Sequence, residues 1–248
     1  MITKRPTHYA LGAAALLLLL AAIAALRPRG ASAADHADGP SAQLDPTADI
    51  SDVFAWMSAD ASRLNLVADV FYAAGPTAAF SPAVQYAFHI ESGEEYGAVS
   101  GEEVVLCQFY DADRIECWAG DEYVEGDPSD PAGIASDSGR LRVFAGLRDD
   151  PFFFEFNGFK EVVSTVSEVA PTLTFVDGCP QLEPETQSAL LTQLQTGPTG
   201  APASDSFEGG NALALVVQLD PALVNVNGPL LAVWASTHSN PSFVGGAL

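Results

Sequence analysis

The sequence predicts a mainly β fold, an antiparallel β-sandwich or open barrel with one or two short helices. Three observations carry this. Many short segments alternate apolar and polar residues with a period of two. Few segments have helical spacing, and those do not alternate regularly with the strands as a doubly wound sheet requires. Hydrophobic residues make up 48% and aromatics 9% of the chain, enough to bury the core of one domain of about 200 residues and too apolar for a disordered chain.

Taken in order, Asp45-Pro46 starts a turn, and Asp49 or Ser51 caps a short turn before the strand "VFAWM". In "RLNLVADVFY" (63–72), Leu64, Leu66, Ala68 and Val70 alternate with Asn65, Val67, Asp69 and Phe71, which gives a strand with at least one buried face. "VQYAFHI" (84–90), "EEVVLCQFY" (102–110), "RIECWAG" (114–120), "RLRVFAGL" (140–147), "FFFEF" (152–156), "ALALVVQL" (212–219) and "LLAVWAS" (230–236) read in the same way. Between two of them, Asp149-Asp150-Pro151 is a turn: Asp accepts backbone N–H bonds and Pro fixes the chain direction. Phe152 and Phe154 then share one face of the following strand and Phe153 takes the other. Two segments are helical, "GFKEVVSTVSEVA" after an Asn157 cap and "PETQSALLTQLQ" with Pro184 in its first turn. The Pro/Gly/Ser stretch 196–210 is expected to be a mobile loop.

The cysteines follow from the strands. If "VVLCQFYDADRIECW" is a hairpin turning about Ala112, residue 111 pairs with 113 and 110 with 114, which sets Cys107 opposite Cys117. Cysteines facing each other on antiparallel strands are placed for a disulfide, and Cys179 is left over.

Lys4 and Arg5 precede an apolar run from Ala10 to Leu26, and Ala31-Ser32-Ala33 has the small-x-small pattern of a signal-peptidase site. The expected organisation is a signal peptide over residues 1–33 and a single β-rich domain over 34–248, exported to the periplasm or beyond. An uncleaved N-terminal anchor is the alternative. No later stretch is apolar enough to span a membrane. The chain carries a formal charge of -22, and cleavage removes four cations and no acid. Arg63, Arg114, Arg140, Arg142, Arg148 and Lys160 remain against 32 carboxylates, a balance that repels a phosphate backbone and argues against nucleic acid as a partner. The acidity suits either solubility in a salty medium or capture of divalent cations.

The chemical candidates are few. His36, Asp38, Asp45, Asp49 and Asp52 lie close together in sequence, an oxygen-rich set with one imidazole that suits a hard or borderline divalent cation. Asp149 or Asp150 could point into the same site, although Arg148 next door offers a salt-bridge partner. The spacing matches neither an EF-hand nor a zincin motif. His89, in mid-strand, and His238, at a strand end, read as packed or edge imidazoles. There is no Gly-x-Ser-x-Gly elbow, Walker loop or dinucleotide glycine fingerprint.

The stretch "ADHADGPSAQLDPTADISDVFAWMS" (34–58) resembles the exported bacterial proteins grouped as domain of unknown function 4331. Their mature start carries His-x-Asp/Glu-x-Pro and then Asp-Pro-x-Ala-Asp-x-x-Asp-Val-Phe/Tyr-Ala-Phe. Here those positions are His36, Asp38, Pro40, then Asp45, Pro46, Ala48, Asp49, Asp52, Val53, Phe54 and Ala55. "VFAGLRDDPFFFEF" is similar to the group's second hallmark. Where longer relatives carry an Asp/Asn-rich, calcium-like loop, this chain has "HIESGEEYGAVSG". The resemblance implies export and no established activity.

Three functions are compatible with these residues. The first is a non-catalytic envelope protein that binds a small molecule, a glycan or another envelope protein. The second is a metal-dependent enzyme built on His36 to Asp52, with a divalent cation as cofactor. The third is a structural envelope protein whose acidity serves hydration. The first is the expectation carried forward.

Overall fold

A computed structural model describes residues 40–98 and 101–240, all within one compact unit; the expected signal peptide, His36 and Asp38 lie outside the described residues. The fold is a β-sandwich of two five-stranded antiparallel sheets. The first sheet has the order β1-β2-β11-β8-β7, formed by Ile50–Met57, Leu64–Val70, Asn211–Leu219, Leu141–Asp149 and Ile134–Ala135. The second has the order β12-β3-β4-β5-β6, formed by Leu230–Ser239, Val84–Gly93, Gly101–Asp111, Arg114–Ala119 and Glu122–Gly126. A two-residue ladder, β9 (Phe175–Val176) with β10 (Cys179–Pro180), stands apart. The helices are α1 (Pro40–Leu44), α2 (Phe156–Val169) and α3 (Pro184–Thr196).

The period-two pattern closes the core. Leu64, Leu66, Ala68 and Val70 of β2 with Leu213, Leu215, Val217 and Leu219 of β11 face Tyr86, Phe88, Ile90, Val105, Phe109 and Ile115 of the other sheet in one buried cluster. At one end Phe80 stacks on Phe109 at 4.3 Å between ring centres, and Tyr86 meets both rings edge-on. The Tyr86 hydroxyl donates to the Thr47 carbonyl, which satisfies a buried polar group and fastens the segment before β1 to the core. Cys107 and Cys117 pair across β4 and β5 and form a disulfide. The hairpin turn differs by one residue from the expected one. A bulge between Phe109 and Asp111 pairs Asp111 with Arg114, and the Asp111 carboxylate accepts the Asp113 N–H. The bulge lies beyond the cysteines, so their register is unaffected.

Two expectations are corrected around the phenylalanines. Residues 152–155 are not a strand, and residue 156 already begins α2. The Asp150 carboxylate accepts the Phe152 N–H, as a turn residue should. Past Gly210, which accepts the Asp150 N–H, the chain leaves the ladder. Its backbone groups are satisfied by Asp205, which accepts from Phe154 N–H, and by Ser206, which accepts from Phe156 N–H. Phe152, Phe154, Phe159 and Phe207 pack on one another as a satellite cluster. The cap of α2 is Glu155 and not Asn157: its carboxylate reaches the N–H groups of Asn157 and Gly158 and also takes the Ser204 N–H and hydroxyl. The 196–210 loop thus contributes Ser204, Asp205 and Ser206 to the hydrogen bonds of this segment.

Candidate ligand-binding face

The strand register places a continuous row of side chains on the outer face of the second sheet. Ser236, Ala87, Leu106, Trp118 and Tyr123 are successive cross-strand neighbours over all five strands. Strand spacing puts Ser236 and Trp118 about 14 Å apart along this row. Ala87 and Leu106 form a low apolar floor in the middle. Trp118 and Tyr123 stand at one end with ring centres 5.6 Å apart. Beside the Ser236 end, in the neighbouring cross-strand row, Trp234, 46% exposed, stacks face to face on His89 at 3.6 Å.

The adjoining row is polar: His238, Gln85, Gln108, Glu116 and Glu125. Gln85 donates to the Gln108 carbonyl oxygen at 3.0 Å, and the Gln108 amide donates to the Tyr110 hydroxyl at 2.7 Å. Tyr110 in turn donates to Glu116 at 2.7 Å, and the Tyr123 hydroxyl lies within reach of both Glu116 and Glu125. Burial alone would raise the Glu116 pKa. Hydrogen bonds from Tyr110, Gln108 and Tyr123, with the charge of Arg114, outweigh it and hold the carboxyl below its ordinary range. The same bond to Glu116 raises the Tyr110 pKa, because ionising the phenol would forfeit it. Arg114 pairs with Glu125 at 2.7 Å and lies over the Tyr110 ring. These bonds fix the rotamers of Gln108, Tyr110, Glu116 and Tyr123, so the face is ordered before any ligand arrives.

Beside Trp234 a second network runs through three strands. His89 Nδ1 contacts the Glu102 carboxylate at 2.5 Å, His89 Nε2 meets the Ser236 hydroxyl at 2.8 Å, and that hydroxyl is 2.7 Å from His238 Nε2. The sequence reads both histidines only as packed or edge imidazoles. Each residue lies on the outward phase of its strand, but Ser236 and His89 are 147 positions apart. Only the pairing of β12 with β3 brings them together.

Of the described metal candidates, Asp45 and Asp49 serve a local turn, and Asp52 and Asp150 both lie near Asp69. Asp45 caps the turn Pro46–Ala48, accepting the Thr47 N–H at 3.0 Å and the Thr47 hydroxyl at 2.6 Å. Asp49 closes that turn through its N–H, and its carbonyl accepts the Phe71 N–H. Asp52 sits on β1 directly opposite Asp69 of β2, Asp149 ends β8 opposite Asn211, and Asp150 follows it. Arg148 lies over the Phe144 ring. Among the described residues no three His, Cys, Asp or Glu side chains come together closely enough to hold a metal ion. The acid that does stand out is Asp69, which the sequence offers only as an outward strand position. It is 1% exposed, neither carboxylate oxygen has a hydrogen-bond partner among the described residues, and its pKa is pushed up to about 7, first by burial and then by the charges of Asp150 and Asp52.

Cys179 is free and exposed. Among the described residues no helix is long and apolar enough to cross a membrane. No protein-family model matches the chain, and neither a curated protein nor a solved structure matches it.

Proposed function

We propose that this protein is an exported, acidic ligand-binding β-sandwich that takes a neutral glycan on the outer face of its second sheet. The observation that carries this reading is the row from Ser236 to Tyr123, aromatic at its Trp118–Tyr123 end, with Trp234 of the neighbouring row beside its Ser236 end and amides and carboxylates along one side. A pyranose ring presents C–H faces that lie on aromatic rings and hydroxyls around its edge that pair with amide and carboxylate groups. Among the described residues, Glu102, Glu116 and Glu125 outnumber the cation Arg114 around this face and disfavour a sulfated or uronic acid polymer. Beyond Tyr123 a hollow of about 530 Å³, lined by Glu122, Ser136 and Ser138 among others, continues the polar surface past β6.

Export is supported by the leader pattern of residues 1–33 and by the disulfide, which persists in oxidising compartments. The resemblance to the domain of unknown function 4331 group rests on the residues quoted for it and agrees with export.

The test is a screen of residues 34–248 against neutral oligosaccharides and soluble polysaccharides, followed by titration calorimetry on any hit. Trp118→Ala and Tyr123→Ala are each expected to weaken binding at least about tenfold, as truncation of a central aromatic does. A wild-type protein that binds no neutral glycan at millimolar concentration, or variants that bind as tightly as wild type, overturns the reading.

A further inference from the structure

We propose that Ser236, His89 and Glu102 form a nucleophilic acyl-transfer centre acting on short-chain carboxylate esters. The assignment needs no glycan, because it rests on the geometry of these side chains.

Hydrogen-bond bookkeeping fixes the roles. A carboxylate can only accept, so the 2.5 Å contact assigns the Nδ1 proton of His89 to the bond with Glu102. His89 Nε2 is then a lone pair, and the 2.8 Å contact makes it the acceptor of the Ser236 O–H. Ser236 has one proton and has given it away, so the 2.7 Å contact with His238 requires His238 Nε2 to be the donor. The result is a hydroxyl bound to a base, a base oriented by a carboxylate, and a third N–H aimed at the reacting oxygen. Trp234 stacks on His89 at 3.6 Å and prevents the ring from turning out of this arrangement. The His89 side chain is 14% exposed, so little water competes for its bonds.

The chemistry balances. Ser236 Oγ bonds to the ester carbonyl carbon as its proton passes to His89 Nε2, and Glu102 stabilises the resulting imidazolium. Collapse of the tetrahedral adduct breaks the bond to the alkoxy oxygen, which leaves as an alcohol with the proton from His89. Water then attacks the acyl-serine by the same route, with its proton passing through His89, and releases a carboxylic acid. Ser236 lies on β12, at the edge of its sheet, and the donor assigned to the charge on the carbonyl oxygen is a side chain. His238 Nε2–H, 2.7 Å from Oγ, is the donor at hand for it.

The decisive measurement is reaction of the purified chain with an alkyl fluorophosphonate, read by intact mass and by mapping the adduct. One adduct on Ser236 is expected, together with turnover of 4-nitrophenyl acetate that Ser236→Ala abolishes. Glu102→Gln, a change at a partly exposed side chain, is expected to slow labelling at least about tenfold with the melting temperature unchanged, and Glu102→Asp to recover part of the rate. A purely structural Glu102 would move the melting temperature and not the labelling. No adduct under conditions that fully label a serine hydrolase control, or an adduct mapped elsewhere, overturns the assignment. The adduct on wild-type protein is read whether or not a variant folds, and loss of glycan binding leaves it untouched.

Discussion

Replacing Cys107 and Cys117 together by alanine is expected to lower the unfolding free energy by about 3 kcal/mol, the cost of releasing a closed loop of this size in the unfolded chain. The two residues are ten positions apart and wholly buried in the sandwich core. In the folded protein the β4–β5 hairpin holds its strands together through its own ladder and the turn at Asp111, so the bond acts mainly on the unfolded ensemble. For a domain of this size that corresponds to a fall in melting temperature of roughly 6–12 °C. Calorimetry or urea unfolding of wild type and double variant, each with and without reductant, checks it. The wild type in reductant should approach the variant, and the variant should ignore reductant. Equal stability of all four samples would contradict the expectation and show that the core packs as well around two small side chains.

The same hairpin shows what is legible in this sequence. Cys107 and Cys117 could be set opposite each other because the pairing of a short hairpin is fixed by local spacing, and a bulge beyond them left their register intact. The strands of the core were legible because burial on one face imposes a period of two. The phenylalanines were not. Phe152 to Phe154 have strand composition, but the course of the chain there depends on Asp205, Ser206 and Phe207, about fifty residues later, which take its backbone hydrogen bonds and cover its rings. β6 was also missed, since "EYVEG" places only Tyr and Val among charged residues and Gly.

The candidate site was less legible still, for a related reason. A strand pattern says which residues point outward but not which of them share a row. Trp118 and Tyr123 could have been recognised as neighbours from a tight β5–β6 turn, whereas His89 and Ser236 depend on the return of the last long strand beside β3. Acidic residues near the N-terminus drew attention by number, yet Asp45 serves a local turn. Asp69 is unusual only because of what surrounds it once the sheet is built.

Asp69→Asn is accordingly expected to stabilise the protein at alkaline pH by about 2 kcal/mol. The sign follows from proton counts. The ordinary carboxyl value is 3.8 and burial, with Asp150 and Asp52, raises it to about 7 in the folded state. Between those values the folded protein binds more protons than the unfolded chain, so this group makes stability fall as pH rises through the window, and the loss is complete above about 7. Taken at face value such a shift corresponds to roughly 4 kcal/mol, and screening of Asp52 and Asp150 by salt with local relaxation reduces the expected effect to about half. Asparagine keeps the shape and removes the charge. Carboxyls held below their ordinary range, such as Glu116 and Asp60, act in the opposite direction in acid, where their stabilisation is lost as pH falls. They are present in both proteins and cancel in the comparison. Urea unfolding at matched pH values should therefore find the two equal near pH 4, diverging in favour of the variant up to pH 7, and separated by a constant amount at pH 8 and 9. A difference that is flat throughout places the folded carboxyl at its ordinary value. A variant less stable than wild type at pH 8 would mean that the charged form is held by a bond from its surroundings, and that this charge supports the fold.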